Sequence, residues 1–201
     1  MVQMEEIVKS CISGKRTAQN QLYQLFSKKM FGLCYRYCKN ETEAEDMLQE
    51  GFIKIFENLK HLRDISSIDS WMKRIMINTL INNYNRTNRQ VFTIESVDDF
   101  AAINNKHPYF ELEEENNLYS QLKTEDLIQI IRNMPLGYSL VLNMFVFEEY
   151  SHKEIARQLK ITESTSKTQL FKARKYLRKK ILSHLNMDYL ELKNERKVQP
   201  Y

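Results

Sequence analysis

The sequence predicts an all-α protein built from two small helical domains. Helix-breaking residues are rare, because only 4 Gly and 3 Pro occur among 201 residues, whereas Leu, Ile, Lys, Glu, Gln and Asn are abundant. Over most of the chain, apolar residues recur at intervals of three and four, which is the spacing of one face of an α-helix. A change in composition over residues 89–117 separates the two helical regions.

The first predicted domain spans residues 1–88 and contains four helices. Apolar positions at helical spacing mark the first three: Leu22, Leu25 and Phe26, then Met30, Leu33, Cys34 and Tyr37, then Met47, Leu48, Phe52, Ile55, Phe56 and Leu59. Thr42 followed by Glu45 is a capping-box pattern, which predicts the start of the third helix. The fourth helix is predicted to begin near Ser66–Ser70 and to run through Trp71 to Tyr84, with Trp71 anchoring the core.

The second predicted domain spans residues 118–185 and contains a helix-turn-helix. Pro and Gly near position 136 separate its first two helices. Ser151 and Glu154 form a capping box before a short helix, which ends in a turn at Lys160–Ile161. Thr162 then caps a helix that continues through Lys180. A helix, a short turn and a basic helix together are typical of helix-turn-helix geometry.

Two further segments carry no helical pattern. Residues 89–117 are rich in Asp, Glu and Asn and contain Pro108, which predicts a flexible acidic linker. Residues 186–201 form a C-terminal tail that we expect to be frayed. The sequence therefore predicts two compact halves rather than one continuous domain.

Charge is distributed unevenly along the chain. The net charge is +4, yet residues 151–182 contain ten Lys or Arg against only Glu154 and Glu163, a local balance of +8. The remainder of the chain therefore carries +4 minus +8, or −4. Such a concentrated positive region indicates contact with phosphate backbones, with a solvated helix face as the alternative.

The sequence argues against several classes of protein. No stretch approaches the roughly 18 consecutive apolar residues of a membrane span, so no membrane insertion is expected. The three cysteines and a start without a secretory signal indicate a reducing cytoplasm. Cys34 and Cys38 lack the further ligands of a closed zinc site and are expected to be buried thiols. No metal site, cofactor motif or catalytic set is found, so catalysis by this chain is not expected.

Both helical regions resemble bacterial sigma factors. The first resembles sigma domain two over MFGLCYRYCKNETEAEDMLQEGFIKIFENLKHL and SWMKRIMINTLINNYNR, and the second resembles domain four over LIQIIRNMPLGYSLVLNMFVFEEYSHKEIARQLKITESTSKTQLFKARKYLRKKIL. The matches cover about three-quarters of the chain in the expected order. The size and the lack of intervening sigma domains resemble the extracytoplasmic-function (ECF) class. The resemblance implies promoter-specific transcription initiation with core RNA polymerase.

The resemblance implies that the helix around EAEDMLQEGF docks on the clamp helices of the polymerase largest subunit. Gln49 and Glu50, three and four residues after Asp46, share one helix face with it. Their acceptors and amide suit Arg and Lys of a partner coiled coil, although an ordinary exposed acidic face is the alternative. The residues expected to hold the helix to its own domain are Met47, Leu48, Phe52 and Phe56.

The stretch 71–86 resembles the sigma segment that melts and reads the minus-ten promoter element. Unpaired bases are bound by aromatic stacking, by amide hydrogen bonds and by cations on the backbone. The residues that supply these groups are Lys73, Arg74, Asn78, Asn82, Asn83, Tyr84 and Arg86. The chain departs from the family at Asn82, where Asp is usual, at Asn85, where a basic residue is usual, and at Ile77, where Arg is frequent. These departures leave the minus-ten preference open.

The last helix resembles the recognition helix for the minus-thirty-five element, and a helix of this width fits the major groove. The residues expected to face DNA are Ser164, Lys167, Thr168, Phe171, Lys172 and Lys175. Base specificity is predicted at Lys167, Thr168 and Phe171. The residues expected to contact phosphates are Lys172, Lys175, Arg178 and Lys179. Lys160 stands where Gly is usual in the turn, and Ser166 stands where an apolar residue normally packs.

Two alternative functions fit parts of the sequence. A stand-alone helix-turn-helix regulator would bind promoter DNA without polymerase, whereas isolated sigma factors of this class are expected to bind it poorly. A helical sequestering adaptor would use the basic helix to bind an acidic protein. The sigma resemblance further implies contact with the polymerase flap and with an anti-sigma factor that clamps the two domains, which a flexible linker permits.

Overall fold

The computed structural model describes residues 2–87 and 122–185. Every regular element in these two ranges is helical, which confirms the all-α prediction. The chain divides into two compact units, Met1–Arg89 and Gln90–Tyr201, each with its own buried core. The linker predicted at 89–117 and the tail predicted at 186–201 lie outside the described residues, so the domain boundaries stay predictions.

The described part of the first unit contains four α-helices: α1 (Val2–Ile12), α2 (Arg16–Tyr37), α3 (Glu41–Asn58) and α4 (Ile68–Thr87). The number of helices agrees with the prediction, but the extents of α1 and α2 differ from it. The sequence pattern does not predict α1, which packs through the buried Val8 and Cys11. α2 joins the first two predicted helices into one, because the three polar residues between Phe26 and Met30 do not end a helix.

α3 begins two residues earlier than predicted, because Asn40 is its N-cap. The Asn40 side chain accepts a hydrogen bond from the Glu43 backbone N–H at 2.7 Å, and the Glu43 carboxylate accepts one from the Lys39 backbone N–H at 2.9 Å. The predicted capping box of Thr42 and Glu45 is therefore wrong. Asn caps at least as strongly as Thr, and it too is followed by Glu three residues later, so the earlier pair forms the cap.

The core of the first unit lies between α2, α3 and α4. Gly51 lets α3 approach α4 closely, since a Cβ at this position would collide with the side chain of Met76. The Phe52 ring packs on the Tyr23 ring, with 4.7 Å between their centroids. Side chains without exposed surface that fill this core include Leu22, Met30, Ile55, Met72 and Met76. This packing determines which face of α3 stays exposed.

The described part of the second unit contains α5 (Thr124–Arg132), α6 (Leu136–Leu142), α7 (His152–Leu159) and α8 (Glu163–His184). The predicted break near position 136 is confirmed, since α5 ends at Arg132 and α6 begins at Leu136. A π-helical turn, Asn143–Phe147, continues α6. The largest fully buried side chains of this unit are Ile131, Leu140, Met144 and Ile155.

α7 and α8 form the predicted helix-turn-helix. Ser151 and Glu154 make the predicted capping box, and Thr162 caps α8 by accepting a hydrogen bond from the backbone N–H three residues later, at 3.0 Å. Lys160 ends α7 in the left-handed conformation, with φ of 56°, and its N–H donates to the Ala156 carbonyl. The turn therefore keeps the geometry that glycine favours, at a cost of about 1 kcal/mol for lysine.

Candidate functional sites

α3 leaves one side exposed, and all three predicted polymerase-binding residues lie on it. Asp46 and Gln49 are exposed. The Glu50 carboxylate is partly exposed and accepts a hydrogen bond from the Lys54 ammonium at 2.6 Å. The residues of this helix that pack into the core are Ala44, Met47, Leu48, Gly51, Phe52 and Ile55. The helix therefore separates an apolar side, held by its own unit, from a polar side that is available to a partner.

Ile53 adds an apolar contact to the same side, and the sequence pattern did not single it out. It follows Asp46 by seven residues, which is close to two helical turns. Its side chain is 58% exposed, so burial against a partner would remove apolar surface from water. The sequence does contain a signal for it, because Ile53 is an apolar residue that lies off the helix face marked by the buried Phe52 and Ile55. We name Asp46, Gln49, Glu50 and Ile53 the α3 face.

α4 presents six of the seven predicted minus-ten residues at its surface. Arg74, Asn82 and Arg86 are exposed, whereas Lys73, Asn78 and Asn83 are half-buried. The Arg86 guanidinium donates to the Asn83 amide oxygen at 3.3 Å. Asn78 and Asn82 are one helical turn apart, and both line a surface pocket. The structure thus brings these two amides together in one concave site.

The pocket has a volume of about 300 Å³ and is open to solvent. Its wall combines flat rings, amides and one ammonium group, from Lys54, Asn58, His61, Trp71, Asn78 and Asn82. Trp71 is half-buried in this wall, and Met72 and Met76 fill the fully buried core positions of α4. The prediction that Trp71 anchors the core stays a prediction. Rings beside amides and a cation are the groups that bind an unpaired base.

Tyr84 is the predicted minus-ten residue that lies in the core instead. Its side chain is 6% exposed, its hydroxyl donates to the Tyr37 carbonyl, and burial raises its pKa. Tyr84 continues the buried positions of Ile77 and Ile81 along α4. It holds α4 to the end of α2 and offers no ring to a base, so its assignment as a DNA contact is wrong.

α8 presents the predicted recognition residues along one side. Ser164, Lys167, Phe171 and Lys175 are exposed, and Thr168 and Lys172 are half-buried. The Phe171 side chain is 44% exposed, although Leu170 and Ala173 beside it are buried. The Thr168 hydroxyl donates to the Ser164 carbonyl at 3.0 Å, which orders its side chain. Lysine donors, a hydroxyl and an aromatic ring therefore share one accessible strip.

Basic side chains continue this strip toward the end of α8. Lys175, Lys179 and Lys180 are exposed, and Arg178 is half-buried. The Lys180 ammonium lies 5.8 Å from the centre of the Tyr176 ring. Within α8, Glu163 is the single acidic residue. The helix therefore carries a strong positive charge suited to phosphates.

Cys34 and Cys38 are buried, as the sequence predicts, and Cys11 is buried as well. Burial raises the pKa of Cys34 to about 12, so this thiol stays protonated and is a poor nucleophile at neutral pH. Within residues 2–87 and 122–185, no group of three or more His, Cys, Asp or Glu side chains could hold a metal ion. The helices of the same two ranges include none long and apolar enough to cross a membrane.

Both units match one protein family. Residues 22–90 match Sigma-70 region 2, and residues 124–177 match Sigma-70, region 4. The chain is 26% identical to RNA polymerase sigma-H factor of Pseudomonas aeruginosa over 88% of this chain and 93% of that protein. The chain is 25% identical to ECF RNA polymerase sigma factor SigW of Bacillus subtilis, over 87% of this chain and 94% of that protein. It is 32% identical to RNA polymerase sigma factor SigZ of Bacillus subtilis, over 67% of this chain and 70% of that protein.

The chain belongs to the ECF sigma factors of the sigma-70 family. As a sigma factor it directs RNA polymerase to promoters, and a stand-alone regulator is not favoured. The α3 face and the pocket beside α4 lie in the part of this sigma factor that matches region 2. The predicted recognition residues of α8 lie in the part that matches region 4.

Proposed function

We propose that the α3 face docks on the clamp helices of the largest subunit of core RNA polymerase. The observation that carries this proposal is the segregation of α3, whose acidic and amide groups are exposed while Met47, Leu48, Phe52 and Ile55 are buried in its own unit. Asp46 and Glu50 offer carboxylates to basic side chains of a partner. Ile53 offers an apolar contact at the C-terminal end of the same surface.

The pocket beside α4 is proposed to hold an unpaired base of the minus-ten element. Trp71 and His61 supply rings for stacking, and the Asn78 and Asn82 amides can donate to and accept from a base edge. Arg74 and Arg86 are exposed on the same helix and would contact the phosphates of the separated strand. The family's acidic residue is replaced by Asn82, which removes a negative charge beside the DNA.

The exposed strip of α8 is proposed to read the minus-thirty-five element in the major groove. Lys167 can donate to guanine O6 and N7, Thr168 can accept or donate, and Phe171 can contact a thymine methyl group. The residues proposed to contact phosphates are Lys172, Lys175, Arg178 and Lys179. These contacts would give affinity without sequence information, whereas the first three would give specificity.

The remaining parts of the proposal concern organisation and partners. Residues 1–88 and 118–185 are proposed as the two working domains, with 89–117 as linker and 186–201 as tail. The second domain would also contact the polymerase flap, and an anti-sigma factor would clamp both domains. The sigma factor would need no cofactor and would catalyse no reaction itself, because the polymerase carries out the chemistry. It would act in the cytoplasm.

The test is a run-off transcription assay with purified core polymerase and fragmented genomic DNA from the source organism, with and without the protein. Discrete new transcripts are expected, and their start sites would reveal both promoter elements. On a promoter library with a randomised minus-thirty-five element, Lys167→Ala should relax the preference at one position. Unchanged preference would refute the role of Lys167, and specific DNA binding without any transcript would favour the stand-alone regulator.

A further inference from the structure

Ser166 is a fully buried polar residue inside the recognition helix. It is the fourth residue of α8 and has no exposed surface, at a position where the family normally packs an apolar side chain. A buried hydroxyl is costly unless it is hydrogen-bonded. Its Oγ lies 2.9 Å from Nδ1 of His152, the first residue of α7. One side-chain hydrogen bond therefore joins the two helices of the helix-turn-helix.

His152 is itself held by neighbouring elements. Its ring stacks on the Phe145 ring in the π-helical turn, with 4.7 Å between centroids and 25° between planes. The Arg174 guanidinium of α8 lies 5.9 Å from the centre of the same Phe145 ring. The contacts link α8, α7 and the turn before α7 through Ser166, His152, Phe145 and Arg174. We name these four residues the histidine cluster.

The charges around His152 favour its neutral form. Partial burial lowers the pKa of His152, and the positive charges of Lys167 and Arg174 lower it further, while Glu163 opposes them. On its own helix, the nearby Glu154 carboxylate is bound in the capping box with Ser151. A neutral ring can accept a hydrogen bond from the Ser166 hydroxyl at Nδ1, which satisfies the buried hydroxyl.

Protonation would disturb this arrangement in two ways. Nδ1 would become a donor, so the Ser166 hydroxyl hydrogen would need another acceptor in a buried site. A second positive charge would also face Lys167, the residue next to Ser166 on the recognition strip. Both effects act on the first turns of α8, where the proposed base contacts lie.

We propose that His152 is a positioning residue for promoter recognition: its hydrogen bond to Ser166 sets the placement of α8, and minus-thirty-five binding weakens when His152 takes up a proton. This inference rests on the proposed role of Lys167, Thr168 and Phe171. The residue acts through Ser166 and touches no DNA in this proposal.

The direction of the pH effect follows from the lowered pKa of His152. Above its ordinary pKa of about 6.5, the ring is neutral in both the folded and the unfolded chain, and the contribution of the histidine cluster is complete. As the pH falls below that value, the unfolded chain binds the proton first, so stability decreases until the folded form is protonated as well. Correct placement of α8 should be lost over the same range.

The test uses holoenzyme formed from the full chain and core polymerase, with a promoter fragment recovered by run-off transcription. Affinity is measured between pH 5.5 and 8 for the fragment with its minus-thirty-five element intact or scrambled. For the wild type, the preference for the intact fragment should fall on the order of threefold to tenfold toward low pH. The apolar pair His152→Phe with Ser166→Val should show a preference that no longer changes with pH, whatever its size, because neither of the two replacement side chains titrates.

His184→Asn is the matched control, since His184 is the last residue of α8, lies 3.6 Å from the Asp126 carboxylate and is outside the histidine cluster. It should retain the wild-type pH dependence. A pH-independent preference in the wild type, or an unchanged pH dependence in the apolar pair, would overturn the inference.

NMR of the full chain without DNA separates this inference from the proposed function. The amide signals of Lys167 and Thr168 should follow the titration of the His152 ring in the wild type but not in the apolar pair. If they do not, the inference fails whatever the DNA result. If they do, but the wild type shows no preference for the intact element at any pH, the proposed role of α8 is refuted, and the DNA part of the inference with it.

Discussion

One residue before α7 and one residue after it adopt the left-handed backbone conformation that L-amino acids disfavour. Glu149 has φ of 58° and Lys160 has φ of 56°, and both side chains are exposed. Neither residue gains a core contact that would offset the strain, which amounts to about 1–2 kcal/mol per residue. The sequence indicated Lys160, because glycine is usual there, but it contained no comparable signal for Glu149.

Replacement of either residue by glycine should therefore stabilise the second unit. Glu149→Gly and Lys160→Gly are each expected to raise its free energy of unfolding by about 0.5–1 kcal/mol, because relief of strain exceeds the added flexibility of the unfolded chain. Denaturant unfolding followed by circular dichroism measures the change. Arg157→Gly is the control, since it is exposed within α7 and should cost about 1 kcal/mol. Destabilisation by all three variants would contradict the strain argument.

The buried hydroxyl of Tyr84 should matter for stability and not for DNA binding. Tyr84→Phe is expected to lower the free energy of unfolding by about 1–2 kcal/mol, because the Tyr37 carbonyl loses its buried donor. Promoter melting by holoenzyme at a temperature where the variant is folded should be unchanged. Asn82→Ala should give the opposite result, with normal stability and weaker melting, as measured by permanganate footprinting. Loss of melting in Tyr84→Phe with full stability would restore its DNA role.

At the scale of single helices, α3 allows a sharp test of the polymerase interface. Asp46→Arg reverses a charge on the α3 face and should weaken core binding at least tenfold, on the order of the 1.4 kcal/mol expected for a lost charge-assisted contact. Glu45→Arg makes the same charge change about 100° around the helix and should have little effect. Ile53→Ala should weaken binding without any charge change. Fluorescence titration with core polymerase measures all three, and equal affinities would refute the interface.

Helix positions were largely predictable from the sequence, and the failures have physical causes. The capping box at Ser151 stands alone, so the start of α7 is predicted correctly, whereas two overlapping patterns, Asn40 with Glu43 and Thr42 with Glu45, compete at α3. The spacing of apolar residues locates the core side of a helix, but it does not show which aromatic residues near the edge of that side are buried. For this reason the sequence places Tyr84 among the DNA contacts, although it lies in the core.

At the scale of the whole molecule, charge is the property that the sequence predicts best. The local balance of +8 over residues 151–182 requires no knowledge of packing, because lysine and arginine heads stay in water wherever the helix lies. The histidine cluster is the opposite case. Its members are separated by up to 29 residues in the chain, and only the fold brings Phe145, His152, Ser166 and Arg174 together.

The charge distribution predicts how holoenzyme binding should respond to salt. Each lysine that neutralises a phosphate adds about 0.9 to the slope of log affinity against log salt concentration. Lys175→Ala with Lys179→Ala should therefore reduce this slope by about 2 for a promoter with an intact minus-thirty-five element. Lys15→Ala, exposed in the first unit, should leave it unchanged. An unaltered slope in the double variant would place these lysines away from the DNA.

The short bond between Glu50 and Lys54 has a consequence for genetics. Glu50 belongs to the α3 face, whereas Lys54 lines the pocket beside α4. An allele that deletes the carboxylate would at the same time release a cation next to the proposed strand-binding pocket. If both proposals hold, weaker binding to core polymerase and stronger promoter melting would be mixed in one phenotype. Asp46 has no such link in the described residues, and suppressor screens that begin from it would report on the polymerase alone.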